Sequence, residues 1–483
     1  MQSMKGKPTL MKGALGFWPM VGQTIAFTAP LSSVVTSLTV SADYAGAALP
    51  LAILIAVIGG MIWLNTPYQY SKKMASAGGF YTFTSKAVGP KYGIFDGLVY
   101  LFFEYAILAN TTLFFAGLLL PDITKSYFGF TMPSFAWIPI LIVFVLIFTI
   151  IPSLGIKPSV KYSLVGALLE ISILVILGVT IIVLKGPSNT TSVFVPNFSG
   201  GFGPFFEGVV VGTFLMTGAS GAVYIGEETK TPRKTIKKAM LVSFALTGSV
   251  FFLVSYAFTI GWGPANMSTI GNHLVPGLIL ADRYLGLPFV TVMTVLLINS
   301  LFVAMVAPLN VLGRISYSFS RDGVMSRWFG KIEPKSRVPR NAILLMGLSS
   351  MVPSIIAGLL LGPEIGFTVL ITISSLALYA GHILSNTALP FYFRKIKEMR
   401  VLTHIALPTI STIVLAFGIY YSVYPPTTDY LIAIVAMVIL LATALVFLGI
   451  FSSRHRGSMG HIGQKEADYP NVPEKIPEAR AED

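Results

Sequence analysis

Cysteine is absent from all 483 residues. That excludes disulfides, thiolate nucleophiles and cysteine-held metals, and leaves the redox compartment open. Charge is nearly as scarce: 11% of residues are Asp, Glu, Lys or Arg, against about a quarter in soluble domains. A soluble globular chain is thereby excluded. No HExxH metal motif and no recognisable nucleophile constellation occurs, so neither an enzyme nor a cofactor is expected. Acids are few beside bases, 20 against 33, for a net charge of +13. Such an excess can signal nucleic acid, but its distribution along the chain says otherwise.

What the chain has in quantity is apolar surface, 54% of its residues. Runs of about 20 apolar residues recur, each long enough to cross a hydrocarbon core. Closed barrels would show alternation instead, so the class is an all-α polytopic membrane protein partnered by a lipid bilayer. Twelve transmembrane helices are expected, near 13–41, 46–71, 94–120, 134–151, 158–185, 204–229, 236–261, 287–312, 339–361, 366–391, 401–421 and 429–451. The short basic N-terminus precedes a full-length apolar stretch, so the first span is expected to remain as an anchor. With the N-terminus inside, 30 of the 33 basic residues fall on the inner side, leaving only Lys125, Lys185 and Arg283 outside. This bias predicts a cell-membrane protein with both termini cytoplasmic and no nucleic-acid partner. The expected organisation is a cytoplasmic tail at 1–12, a ten-helix core at 13–391, two additional helices at 392–451 and a cytoplasmic tail at 452–483. That last tail, polar after Phe451, is expected to lack structure.

Two spans are interrupted midway. Span 1 carries GQTIAFTAPL, Gly22 to Leu31, and span 6 carries MTGASGA, Met216 to Ala222. Pro30 removes an amide donor from the first. Small residues let helices pack closely, but two interruptions at matching places in two five-span blocks of opposite direction point to a 5+5 inverted-repeat transporter with helices 1 and 6 broken. An unwound turn frees backbone N–H and C=O groups, which suit the carboxylate and ammonium of an amino acid substrate. The expected substrate contacts are Ile25, Ala26, Phe27, Thr28 and Ala29, with Met216, Thr217, Gly218, Ala219 and Ser220. For Thr28, Thr217 and Ser220 the competing reading is a hydroxyl bonded back to its own helix.

Three loop motifs resemble the amino acid–polyamine–organocation superfamily. They are SAGGFYTFTSKAVGPKYGIFDG (76–97), EETKTPRKTIKKA (227–239) and RISYSFSRDGVMSRWFGKIEPKSRVPRNA (314–342). The similarity spans roughly the first ten helices. It implies a leucine-transporter-like fold and coupled or exchange transport of amino acids or related amines. Gln69, Lys237, Ser326, Ala219 and Ser220 depart from common residues of that family. Ala219 stands where an aromatic gate is frequent, leaving Phe214, Phe27 or Tyr224 as alternatives.

Glu104 in span 3 and Glu170 in span 5 lie where a charge costs about 3 kcal/mol, and both are candidates for proton coupling. The resemblance places Glu170 near a span-5 lysine that has this role in some proton-coupled members. The alternative for each is a permanently neutral carboxyl bonding a neighbouring helix, and His382 reads as a structural hydrogen bonder. Glu227 and Glu228, followed by Lys230, Arg233 and Lys234, suggest an ion-pair network closing a cytoplasmic gate, with Arg321 and Asp322 on the same surface. The expected function is a proton-coupled amino acid permease. Sodium coupling, through groups such as Asn299 and Ser300, and an amine, polyamine or amino acid exchanger are the alternatives.

Overall fold

The computed structural model describes residues 9–195, 202–455, 457 and 459–465. Among these, every regular element is helical; the sole extended contact is an isolated parallel bridge between Leu15 and Thr229. Ten helices are long and apolar enough to cross a membrane, and Trp137–Ser153 is a shorter apolar one.

The packing is inverted relative to a water-soluble protein. Apolar side chains face outward along the outer helices: Val435, Val438, Leu445 and Val446 on Thr428–Arg454, and Leu168, Leu169 and Ile176 on Ile156–Lys185, are exposed. Inside lie Glu104, Glu170, Glu228, Arg314, Asn310 and many Ser and Thr residues, all buried. Lipid offers no hydrogen bonds, so polar groups turn to one another in the interior.

Phe17–Thr28 stands at the centre, packed against Ile156–Lys185, Pro232–Trp262, Leu287–Arg321 and the Thr217–Glu228 segment. Pro363–Lys395 lies along Pro90–Phe114. Helical structure over Phe17–Lys73 runs for 57 residues, roughly 85 Å at 1.5 Å per residue. A bilayer core of about 30 Å cannot hold it in one pass, and the chain turns at Gly46, whose φ is +55°. Leu287–Arg321 extends past its expected end near 312, because the motif after it is amphipathic and buries Arg314 and Phe319.

The tails correct one expectation. The last long helix continues to Arg454, and the described part of the tail returns to the protein: Ile462 is 3% exposed, and the Gly463 amide donates to Asp322 Oδ2 at 2.9 Å. One buried isoleucine and a left-handed glycine supply enough contact to seat a polar segment. At the other end Leu10 packs with Ala77 and Ile332, and Arg337 Nε donates to the Thr9 carbonyl. Residues 1–8, 456, 458 and 466–483 of the tails lie outside the described residues.

Candidate functional site

The first helix stops at Thr28. Ala29 takes the left-handed conformation (φ 43°, ψ 71°), and helical structure restarts at Pro30. Proline suits that first position, where an amide would have no helical partner. The next two amides find side chains. Leu31 N–H donates to Glu170 Oε2 at 3.2 Å, and Ser32 N–H donates to Ser300 Oγ at 3.1 Å. Ser300 Oγ also donates to Glu170 Oε2 at 2.8 Å. In an environment without water these amides draw acceptors from Ile156–Lys185 and Leu287–Arg321. Glu170 Oε1 has no partner among the described residues.

Span 6 changes character at the matching place. Phe202–Phe214 is α-helical, and Thr217–Glu228 follows as tighter 3₁₀ turns with a kink at Ile225. Gly218 lies against the end of the first helix, where a Cβ would sit 2.5 Å from the Thr28 nitrogen. The hydroxyls of Thr28, Thr217 and Ser220 donate to the carbonyls of Thr24, Phe214 and Thr217. All three therefore bond back to their own turns.

A cavity of about 110 Å³ opens beside Ala29. Phe27, Thr28 and Ala29 line it, as expected from the sequence. Ile25 and Ala26 are instead buried in helix packing, and Met216, Thr217, Gly218, Ala219 and Ser220 are buried outside the lining, Gly218 lying directly against Thr28. Sequence reasoning missed most of the polar lining: Ser32, Ser33, Thr36 and Ser37 past the interruption, Asn110 and Thr111 on span 3, and Ser374 on span 10. Four phenylalanines, Phe27, Phe114, Phe214 and Phe367, complete it, and none of its lining residues is ionisable. Of the three aromatic candidates, Phe27 and Phe214 face the cavity. Tyr224 is buried and packs on Phe80. A second cavity of about 390 Å³ shares Thr36, Ser37, Phe114, Phe214, Phe367 and Ile371 with the first. It continues toward Tyr44, His273 and Tyr430, the end bearing the few basic loops.

The opposite end is sealed by charge. Arg314 grips Glu228 through two parallel bonds, Nε to Oε2 and Nη2 to Oε1, each 3.0 Å, with both side chains fully buried. The fork geometry is the strong form of the pair. Behind it, Arg314 Nη1 reaches Asn310, and Asn310 Nδ2 donates to Ser159 Oγ and Gln23 Oε1, tying spans 1, 5, 6 and 8 together. Glu227 accepts from Arg321 Nη1 at 3.0 Å and from the Ala77 amide at 2.9 Å. Asp322 accepts from the Tyr81 hydroxyl at 2.8 Å. Burial and the neighbouring Asp322 carboxylate push the Tyr81 hydroxyl well above its ordinary pKa, keeping it a donor. Glu227, Glu228, Arg321 and Asp322 thus converge as expected, but the glutamates' arginine partners come from Leu287–Arg321, and Arg314 is the residue sequence reasoning did not single out.

Other buried acids lie apart from the cavity. Glu104 is 1% exposed, and its Oε2 has no partner among the described residues. Asp96, not singled out from the sequence, is fully buried and accepts from Ser385 Oγ at 3.0 Å. His382 stacks on Trp63 and bonds its carbonyl. Among the described residues no three His, Asp or Glu side chains cluster as metal ligands would.

A body of long apolar helices around a polar cavity fits the class of multi-pass permeases. The amino acid permease family profile matches residues 20–456, and the chain belongs to that family. It is 24% identical over 338 residues to cationic amino acid transporter 4 of Mus musculus, covering 64% of this chain and 50% of the relative. It is 24% identical over 349 residues to the low-affinity putrescine importer PlaP of Escherichia coli K12, covering 70% and 73%. The branched-chain amino acid permease BcaP of Bacillus subtilis is 24% identical over 344 residues, covering 64% and 68%. The chain therefore spans half the length of the mouse relative and about 70% of the two bacterial ones.

Proposed function

We propose that the protein is a secondary active transporter that carries amino acids across the cell membrane by alternating access. The carrying observation is the asymmetry of the interior: a cavity at Ala29 continues toward one end, while buried ion pairs at Glu228–Arg314 and Glu227–Arg321 close the other. With the basic loops inside, this is an outward-facing arrangement with its cytoplasmic gate shut. Twelve spans result when Phe17–Lys73 is counted as two and Trp137–Ser153 is added to the other long helices. Residues 13–391 form the inverted-repeat core, with helices 1 and 6 broken at Ala29 and near Thr217, and 392–451 add two helices. Both termini are cytoplasmic.

The substrate sits between Phe27–Ala29, the hydroxyl-rich stretch after Pro30 and Asn110. Ile25, Ala26, Met216, Thr217, Gly218, Ala219 and Ser220 set the shape of that site. A lining with four phenylalanines and no charge suits an amino acid with an uncharged side chain, as in the branched-chain relative's name. Proton coupling follows from Glu170. Its ionised form holds the Leu31 amide; protonation weakens that bond and offers the helix N-terminus to the substrate carboxylate. Proton and substrate then favour each other's binding, which is the linkage that coupling requires. Glu104 is the second candidate proton site.

The names of two relatives favour another reading, a cationic amino acid or putrescine, and Glu207 on the outer cavity supports it. Uptake of radiolabelled leucine, lysine and putrescine into proteoliposomes, under an imposed pH or sodium gradient, decides among these. Leucine accumulation driven by the pH gradient is expected. Failure of all three probes to accumulate under either gradient overturns the transport reading.

A further inference from the structure

The outer cavity carries chemistry that the break cavity lacks. Glu207 lines it at 9% exposure, beside Tyr44, Tyr379, Tyr430 and Phe214. Among the residues lining the two joined cavities it is the one carboxylate, and no Lys or Arg accompanies it. A nearly buried carboxylate that accepts from the Tyr44 hydroxyl, in a cavity with further aromatic side chains and no lysine or arginine, is suited to a cation. We propose that this cavity is a binding station for a primary ammonium group, with Glu207 as counter-ion, separate from the site at Ala29. It takes simple alkylammonium ions as well as the ammonium end of an incoming substrate. The test uses n-butylammonium and n-butyrate on purified protein by titration calorimetry. Saturable butylammonium binding is expected, with no butyrate binding. Glu207→Gln should weaken it at least tenfold, and Glu207→Asp should restore most of it. Equal affinity in Glu207→Gln, or butyrate binding as tight as butylammonium binding, overturns the assignment. Because no transport is measured, this outcome is independent of the transport reading.

A different observation concerns the closed end. The tail segment Met459–Lys465 lies across the sealing charges. Gly463 N–H bonds Asp322; the Lys465 carbonyl accepts from Ser76 Oγ at 3.2 Å and Arg321 Nη2 at 3.4 Å; Lys465 Nζ donates to the Arg321 carbonyl at 3.1 Å. Gly463 sits at φ +70°, where a Cβ would meet Ser85 Oγ at 2.2 Å. Ser76 and Arg321 also bond Glu227, so the tail joins the two sides of the seal. We infer that this segment is a strap that must lift before the cytoplasmic end opens, an autoinhibitory contact resting on the alternating-access reading. The cysteine-free chain permits a direct test. Ser76→Cys with Lys465→Cys should cross-link under copper phenanthroline, stop uptake of whichever probe the wild type accumulates, and recover on reduction. Gly463→Val should raise the uptake rate several-fold. A cross-linked protein that transports at the wild-type rate, or a pair that never cross-links, overturns the strap. A wild type that transports nothing overturns the transport reading instead.

Discussion

Replacing Gly218 by alanine adds one methyl group where the Thr217–Glu228 segment lies tight against the end of the first helix. The new Cβ would lie 2.5 Å from Thr28 N, 2.6 Å from Thr28 Oγ1 and 2.7 Å from the Phe27 carbonyl carbon. The nearest of these is about 0.9 Å short of the 3.4 Å at which ordinary contact begins. Two of the three atoms are backbone, so no side-chain rotation relieves them. The 3₁₀ segment must move off the first helix, and Thr28 and Ala29 on the cavity wall move with it. Overpacking of this kind costs about 1–3 kcal/mol, small enough against a typical stability of about 5–15 kcal/mol for the protein to fold and insert. If that cost falls on the substrate-bound geometry, affinity drops roughly 5- to 150-fold, at 1.4 kcal/mol per decade. The assay is saturation binding of radiolabelled leucine to purified protein, with size-exclusion chromatography as the check on folding. Gly449→Ala, where nothing lies within 4 Å of the new methyl, should leave binding unchanged. Wild-type affinity in a monodisperse Gly218→Ala protein would refute the reasoning and reduce this contact to a packing seam.

Glu170→Gln keeps a hydrogen-bonding head at Leu31 and Ser300 but cannot exchange a proton; pH-gradient-driven accumulation should vanish while substrate exchange persists, as uptake against a gradient at several pH values will show. Removing one partner of a buried ion pair costs about 3–5 kcal/mol, so Glu228→Gln should shift the protein strongly toward its cytoplasm-open form. A single cysteine introduced at Gln23 should then become reactive to a membrane-impermeant thiol reagent from the inner side; unchanged protection counts against a gate. A reporter fused after Arg454 should read as cytoplasmic, and an external signal would overturn the span count.

The membrane class was legible because it rests on local pattern, apolar length, and the left-handed turn at Ala29 falls where Pro30 follows small residues. The cavity lining was legible only in part. Phe27, Thr28 and Ala29 sit at the interruption itself, whereas Asn110, Ser374 and Phe367 reach it from other spans, and nothing local marks them. The capping of Leu31 and Ser32 joins residues 139 and 268 positions apart. Arg314 stood inside a quoted motif, but its pairing with Glu228 depends on a helix that runs beyond its apolar stretch. Asp96 lacked the long apolar flanks that made Glu104 and Glu170 conspicuous. The described tail segment 459–465 departs from the expectation because composition reports average burial, and a single isoleucine with a glycine turn was enough to anchor it.

The partners that hold the turn at Ala29 bear on how the chain is made. The first span leaves the ribosome long before the residues that satisfy it. Glu170 and Gly218 come later, and Ser300 follows Ser32 by 268 residues, a delay of roughly 13 to 54 s at 5–20 residues per second. Until Glu170 arrives for Leu31, and Ser300 for Ser32, these amides have no acceptor in the bilayer other than their own helix or residual water. The interruption is therefore a late product of biogenesis, set when spans 5, 6 and 8 close around span 1. A chain released before span 8 would carry all the residues of the turn but lack Ser300, which receives the Ser32 amide and bonds Glu170.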